Sequence, residues 1–163
     1  KKNYELSIFI VVIIFILIMY NFNSNSNISA ITKIGIESIK PVTSDSYVMN
    51  IFMINHKPVS GIEIDIMPYG NIVIDSVTLT SNKLNRDHNF SVYSNSSGKL
   101  LGFSMTGKQI SKARSSIISD NIIFSVSYKY LNSIPDSMWL VPLLADRKGN
   151  IIECNSSSFQ IGK

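Results

Sequence analysis

The sequence predicts an all-β fold, a sandwich of about nine short strands behind a single N-terminal transmembrane helix. Three observations carry this expectation. Past residue 30 the apolar residues recur with a period of two, as where Ile62, Ile64 and Ile66 alternate with Glu63 and Asp65. Clusters of turn-forming residues punctuate the chain at short intervals. One uncharged block, Leu6 to Tyr20, has no counterpart later in the chain.

The block comes first. Lys1 and Lys2 lead into LSIFIVVIIFILIMY, in which Leu6, Ile8, Phe9, Ile10, Val11, Val12, Ile13, Ile14, Phe15, Ile16, Leu17, Ile18, Met19 and Tyr20 form the expected membrane anchor. As a helix the run rises roughly 22 Å at 1.5 Å per residue, against a hydrocarbon core of about 30 Å. Extending it from Tyr4 to Phe22 narrows the gap. Lys1 and Lys2 can snorkel, Tyr4, Tyr20 and Phe22 suit the interface, and local thinning absorbs the rest. A cleaved secretory signal needs small residues at its exit, and NFNSNSNISA sets Ile28 against that requirement ahead of Ala30. Retention is therefore expected. A pilin-like start, suggested by Glu5, lacks the Gly-Phe processing junction. The basic lead places the amino end in the cytoplasm and the β domain across the membrane, as a single-pass protein. Residues 1–22 thus read as the anchor, 23–31 as an Asn/Ser-rich linker and 32–163 as the β domain.

Composition bounds the rest. The β domain is large enough for one proper core. The net charge of +4 is spread without a basic stripe or interleaved aromatics, which argues against nucleic-acid binding. The single Cys154 makes no internal disulfide and no multi-cysteine metal site. It reads as a small buried hydrophobe in a late strand. Asn27, Asn89, Asn95 and Asn155 each begin a glycosylation sequon, but in a chain this rich in Asn and Ser such matches arise by chance.

The strands follow in order. Lys33 to Ile39 is the first candidate. Tyr47 to Ile54 is nearly all apolar and reads as covered on both faces. Pro58 and Gly61 flank the connection to Ile62–Ile66, and Pro68-Tyr69-Gly70-Asn71 separates that strand from Ile72 to Leu79. Asn89 to Tyr93 and Lys99 to Met105 are joined by a turn over Ser94–Gly98. Lys108 to Ser119 reads as a long Ser-rich loop with at most a helical turn. Ile122, Phe124, Val126, Tyr128 and Tyr130 then alternate with Ser125, Ser127 and Lys129. Met138 to Leu144, the hairpin turn DRKGN, Ile151 to Cys154 and Ser158 to Ile161 complete the set.

Candidate chemistry is sparse. Glu63 and Asp65 share a strand face about 7 Å apart. That spacing suits a glycosidase pair, yet any half-exposed strand shows it. His56 and His88, both by turns, read as solvated loop histidines. No serine sits in a G-x-S-x-G elbow, and phosphate-binding loops, dinucleotide-binding glycines and calcium loops are missing. No catalytic residue, cofactor or metal ligand is assigned. Trp139 reads as core or sandwich edge, or as a sugar-stacking platform.

Three segments together resemble a cohesin-type domain, of the carbohydrate-binding-like β-sandwich superfamily. YVMNIFMINHKPVSGIEIDI, Tyr47 to Ile66, is similar to the family's paired early strands. SNSSGKLLGFSMTGKQI, Ser94 to Ile110, resembles its Leu-Gly-Phe-Ser strand and following loop. LADRKGNIIECNSSSFQIG, Leu144 to Gly162, resembles its closing hairpin. The resemblance implies a nine-stranded jelly roll that binds protein partners, often dockerins, across an exposed sheet face. The expected function is thus a non-enzymatic, membrane-anchored module for protein binding or structural assembly. Its partners are the bilayer, through residues 6–20, and a protein. Two alternatives are a minor structural protein of a virus with an internal membrane, and a carbohydrate-binding module.

Overall fold

The computed structural model describes residues 31–80 and 90–162. The anchor, the linker up to Ala30, His88, and the sequon residues Asn27 and Asn89 lie outside the described residues. No helix among the described residues is long and apolar enough to cross a membrane.

Eleven strands are described: β1 (Thr32–Pro41), β2 (Ser46–Ile54), β3 (Gly61–Met67), β4 (Ile72–Leu79), β5 (Phe90–Ser94), β6 (Lys99–Ser104), β7 (Ile122–Tyr130), β8 (Ser137–Ala145), β9 (Ile151–Ile152), β10 (Cys154–Ser156) and β11 (Phe159–Gln160). One sheet runs β10-β1-β2-β7-β4. The other runs β11-β8-β3-β6-β5, with β9 also on β8. The expected two-sheet, all-β sandwich is what forms. The strand number is higher because Ile151–Cys154, expected as one strand, divides. Ile151 and Ile152 pair with β8, whereas Cys154 to Ser156 pair in parallel with β1 in the opposite sheet. The chain changes sheets at Glu153, so no single strand can span the stretch.

The core fills the space between the sheets. Ile62, Ile64 and Ile66 of β3 meet Met49, Ile51 and Met53 of β2, and Phe124, Val126 and Tyr128 of β7, all at most 1% exposed. Each such aliphatic side chain contributes roughly 1.5–3 kcal/mol on burial.

Three register shifts reconcile broken apolar periods with a continuous core. In β1 the shift falls between Ile36 and Ser38. It lets Ile34 and Ile36, and then Ile39 three residues on, all face inward. In β4 the shift between Ile74 and Ser76 does the same for Ile72 and Ile74, then Val77 and Leu79. Between β2 and β7 the register skips Ile123, so Ile123 and Phe124 are both buried. Strict alternation had put Ile122 in the core. The bulge puts Ile123 there instead.

The expectation that β2 is covered on both faces holds for its second half alone. Val48 and Asn50 remain half-buried. Phe52 and Ile54 are covered by Ala113, on the long connection from β6 to β7. That connection is the expected loop, ending in one 3₁₀ turn at Ile118–Asn121. Two buried asparagines hold it. The Asn55 amide donates to the carbonyls of Lys57 (2.8 Å) and Ser111 (2.9 Å), and that of Asn121 to Ser115 (2.9 Å) and Ile117 (2.7 Å). A bridge between Val59 and Ile110 completes the attachment.

The register also sorts the connections between two ends. Thr32, the β2–β3 connection, the β6–β7 loop and the β8–β9 turn lie at one end. The β1–β2 turn, the β3–β4 connection and the β7–β8 loop lie at the other.

Candidate functional site: the outer face of the β8-β3-β6-β5 sheet

A strand of period two presents alternate side chains to opposite faces. With Ile62, Ile64 and Ile66 inward, Glu63, Asp65 and Met67 must point out. Pairing extends this pattern across the sheet. Leu143, Glu63, Leu101 and Tyr93 form one row across four strands. Val141, Asp65 and Lys99 form the next, and Trp139 lies opposite Met67 in a third. Tyr93 also stacks on Phe103, with ring centroids 5.6 Å apart.

The face is unusually apolar for a solvated surface. Tyr93, Leu101, Trp139, Val141 and Leu143 are each between 38% and 57% exposed and lie together. Several large apolar side chains exposed on one sheet face in this way mark an interaction site. At its centre Lys99 pairs with Glu63 and lies 3.2 Å from Asp65 Oδ1. These hydrogen bonds, Glu63 first and Asp65 second, push the Lys99 ammonium pKa up.

The opposite outer face has a different chemistry. Ser125 donates to Asn50 Oδ1 (2.5 Å), and the Asn50 amide reaches Ser38 Oγ (3.3 Å) and Glu37 (3.4 Å). Thr78 bonds the Ser125 carbonyl. Small polar groups there satisfy one another, and the apolar Phe52 and Ile54 on the same face are covered by Ala113.

The sequence-predicted residues divide accordingly. Glu63 and Asp65 do share a face, but both are engaged by Lys99 on an open sheet. A glycosidase acid needs a carboxyl in an apolar pocket, and no such arrangement surrounds them. Trp139 is not a core residue: the inward positions of β8 belong to Met138, Leu140 and Leu144, which turns Trp139 outward at the corner of the face. His56 is not simply solvated. Its Nδ1 lies 2.9 Å from the buried Thr32 hydroxyl. Burial, and then the charges of Lys57 and Lys112, lower its pKa. Cys154 is half-buried against the core, and desolvation raises its thiol pKa. Among the described residues no three His, Cys, Asp or Glu side chains are grouped to hold a metal ion.

Leu101, Val141, Leu143, Tyr93 and Lys99 escaped notice in the sequence. SMWLVPLLA is apolar at nearly every position, so its period does not say which residues point out. The alternation of β3 does, once β3 and β8 are paired.

No family model matches the chain, and no curated protein matches it. Solved structures do match. A non-cellulosomal cohesin from Archaeoglobus fulgidus superposes with a TM-score of 0.53 at 17% identity, over 82% of this chain and 93% of its own. CaCohA2 from Clostridium acetobutylicum gives 0.53 at 17% identity, over 80% and 90%. The sixth cohesin of Acetivibrio cellulolyticus scaffoldin B, solved in complex with a Cel5 dockerin, gives 0.51 at 15% identity, over 82% and 100%. Across its described residues, the chain has the cohesin-type β-sandwich fold.

Proposed function

We propose that this chain is a non-enzymatic module that docks a protein partner on the outer face of the β8-β3-β6-β5 sheet. We also propose that residues 6–20 hold it at a membrane and that residues 23–31 act as the linker. The single observation behind the docking face is the contrast between the two outer faces. One presents exposed apolar side chains on both sides of a Glu63–Lys99–Asp65 ion group, the other a self-satisfied polar network. An apolar centre excludes water and supplies binding energy, and an embedded charge group fixes register and rejects mismatched partners. Complexes among the structural neighbours support the partner's being a protein, since cohesins there are bound to dockerins.

Carbohydrate binding is the second reading, and it draws on Trp139 standing exposed on the same face. It is the weaker of the two. Sugar stacking needs free ring faces, and Tyr93 and Phe103 each cover one face of the other, which leaves Trp139 as the main platform.

The test is co-purification of the full chain from its native membrane. A stoichiometric protein partner is expected, lost on Leu101→Asp with Val141→Asp and kept on Thr78→Asp. Retention by the Leu101/Val141 variant, with the fold intact by circular dichroism, removes this face from consideration.

A further inference from the structure

The charges of the sandwich are segregated along its length. At the end where the chain enters, Lys33 and Lys57 flank the start of β1 and the end of β2. Lys108, Lys112 and Arg114 sit on the β6–β7 loop, and Arg147 and Lys148 on the β8–β9 turn. All seven are exposed, and none has an ion-pair partner among the described residues. Three carboxylates among the described residues accompany them, Asp120, Asp146 and Glu153, of which Asp146 is engaged by its own turn. The remaining described residues reverse the balance, with three cations against six carboxylates. Two of those three cations, Lys99 and Lys129, are paired. Burial first, and then the charges of Lys57 and Lys112 against that of Glu153, lower the His56 pKa at this end.

The basic end also exposes aliphatic side chains. Met105, Ile117, Ile118 and Ile151 are 42% to 76% exposed, placed between the cations. The opposite end exposes Val42, Leu131 and Ile134, and Tyr69, as well, but without a cluster of unpaired cations among the described residues.

The tether selects the occupant of this end. Residues 21–31 separate the apolar block from Thr32. Whatever its conformation, a segment of that length reaches at most about 40 Å. A sandwich tied by such a linker at its basic end has that end held near the bilayer surface. The Debye length at physiological salt is about 8 Å, so anionic headgroups in the leaflet that the domain faces act on cations brought within that distance.

We infer that the entry end of the sandwich is a second docking surface, for the anionic lipid headgroups of the membrane that anchors the chain. Lys57, Lys112, Arg114 and Lys148 engage the headgroups, and Ile117, Ile118 and Ile151 dip into the interface. The sandwich then stands upright on its basic end. Its apolar outer face runs perpendicular to the membrane and open to a partner. This inference rests on reading residues 6–20 as a bilayer anchor, and it is independent of which protein docks above.

The test uses the full chain reconstituted into vesicles of phosphatidylcholine alone, or of phosphatidylcholine with about one-third phosphatidylglycerol. Lysine acetylation rates are read by mass spectrometry, with Lys40 at the opposite end as the internal reference. Lys57, Lys112 and Lys148 should be acetylated about threefold or more slowly, relative to Lys40, in the anionic vesicles. The difference should vanish at about 1 M salt, where the Debye length is about 3 Å. In Arg114→Gln with Lys112→Gln, the protection of Lys57 and Lys148 should weaken. Equal relative rates in both vesicles, from chain that floats with both, overturn the inference while leaving the anchor intact. Chain that fails to float with phosphatidylcholine vesicles has no anchor, and the inference falls with that reading.

Discussion

Gly102 lies in the middle of β6, between the outward-facing Leu101 and Phe103, with its own face turned to the core. A methyl group there would stand 2.8 Å from Phe90 Cε1 and 3.3 Å from Phe124 Cζ. The first distance is shorter than real contacts allow, and the second is tight. Phe90 is 5% exposed and Phe124 fully buried, so neither ring has room to withdraw. Gly102→Ala should therefore destabilise the domain by about 1–3 kcal/mol through overpacking, with no contribution from backbone strain. For a domain of this size that lowers Tm by roughly 3–12 °C. Calorimetry on wild type, Gly102→Ala, Phe90→Leu and the double variant isolates the contact. Leu removes the ring edge, so the double variant should be less destabilised than the two single changes added, by about 1 kcal/mol. An unchanged Tm for Gly102→Ala, or strict additivity, would refute the packing argument.

Further expectations follow from the loop, the turn and the tyrosines. Asn55→Ala removes two good hydrogen bonds to loop carbonyls and should cost about 2 kcal/mol. Asn55→Asp should be worse, because it turns an acceptor toward those carbonyls. Trypsin cleavage at Lys108, Lys112 and Arg114 should accelerate in that order of variants, and equal rates in wild type and both variants would contradict the pinning role. The Asp146 carboxyl is held below its ordinary pKa, first by the Asn150 side chain and then by the Asn150 N–H. Its contribution is therefore full above the unfolded value near 4, and is lost as pH falls through the lowered folded value. The gap in urea midpoint between wild type and Asp146→Ala should shrink between pH 6 and pH 3, and a widening gap would reverse the sign of the argument. Burial, and then the Tyr130 hydroxyl 2.9 Å away, push the Tyr128 pKa far up. Folding that favours the neutral phenol is stabilising below pH 10 and weakens as pH rises above it. In an ultraviolet titration Tyr128 should not ionise until the protein unfolds. Complete tyrosine ionisation with the fold retained would show that the hydroxyl is not shielded.

Much of this fold can be read in the chain because alternation is a local property. Ile62, Ile64 and Ile66 name their own face, and the turns at Ser94–Gly98 and Asp146–Asn150 form where Gly and Asn require them. What could not be read depends on pairing. The bulge that buries Ile123 is a mismatch between two strands about seventy residues apart, and neither strand contains it alone. The outer-face site is harder still. Leu101, Val141 and Leu143 look like core residues in isolation, and only the parity of β3, carried across the sheet, turns them outward. Asn55 and Asn121 gave no signal in a chain so rich in asparagine, since their role comes from the loop carbonyls they reach.

The most direct test of the docking face is residue-resolved photo-cross-linking in the native membrane. A photoreactive phenylalanine analogue would replace Leu143 on the apolar outer face, or Ser127 on the polar one. The account predicts a discrete, stoichiometric protein adduct from position 143 and none from position 127. Adducts of equal yield from both positions, or an adduct from position 127 alone, would contradict it.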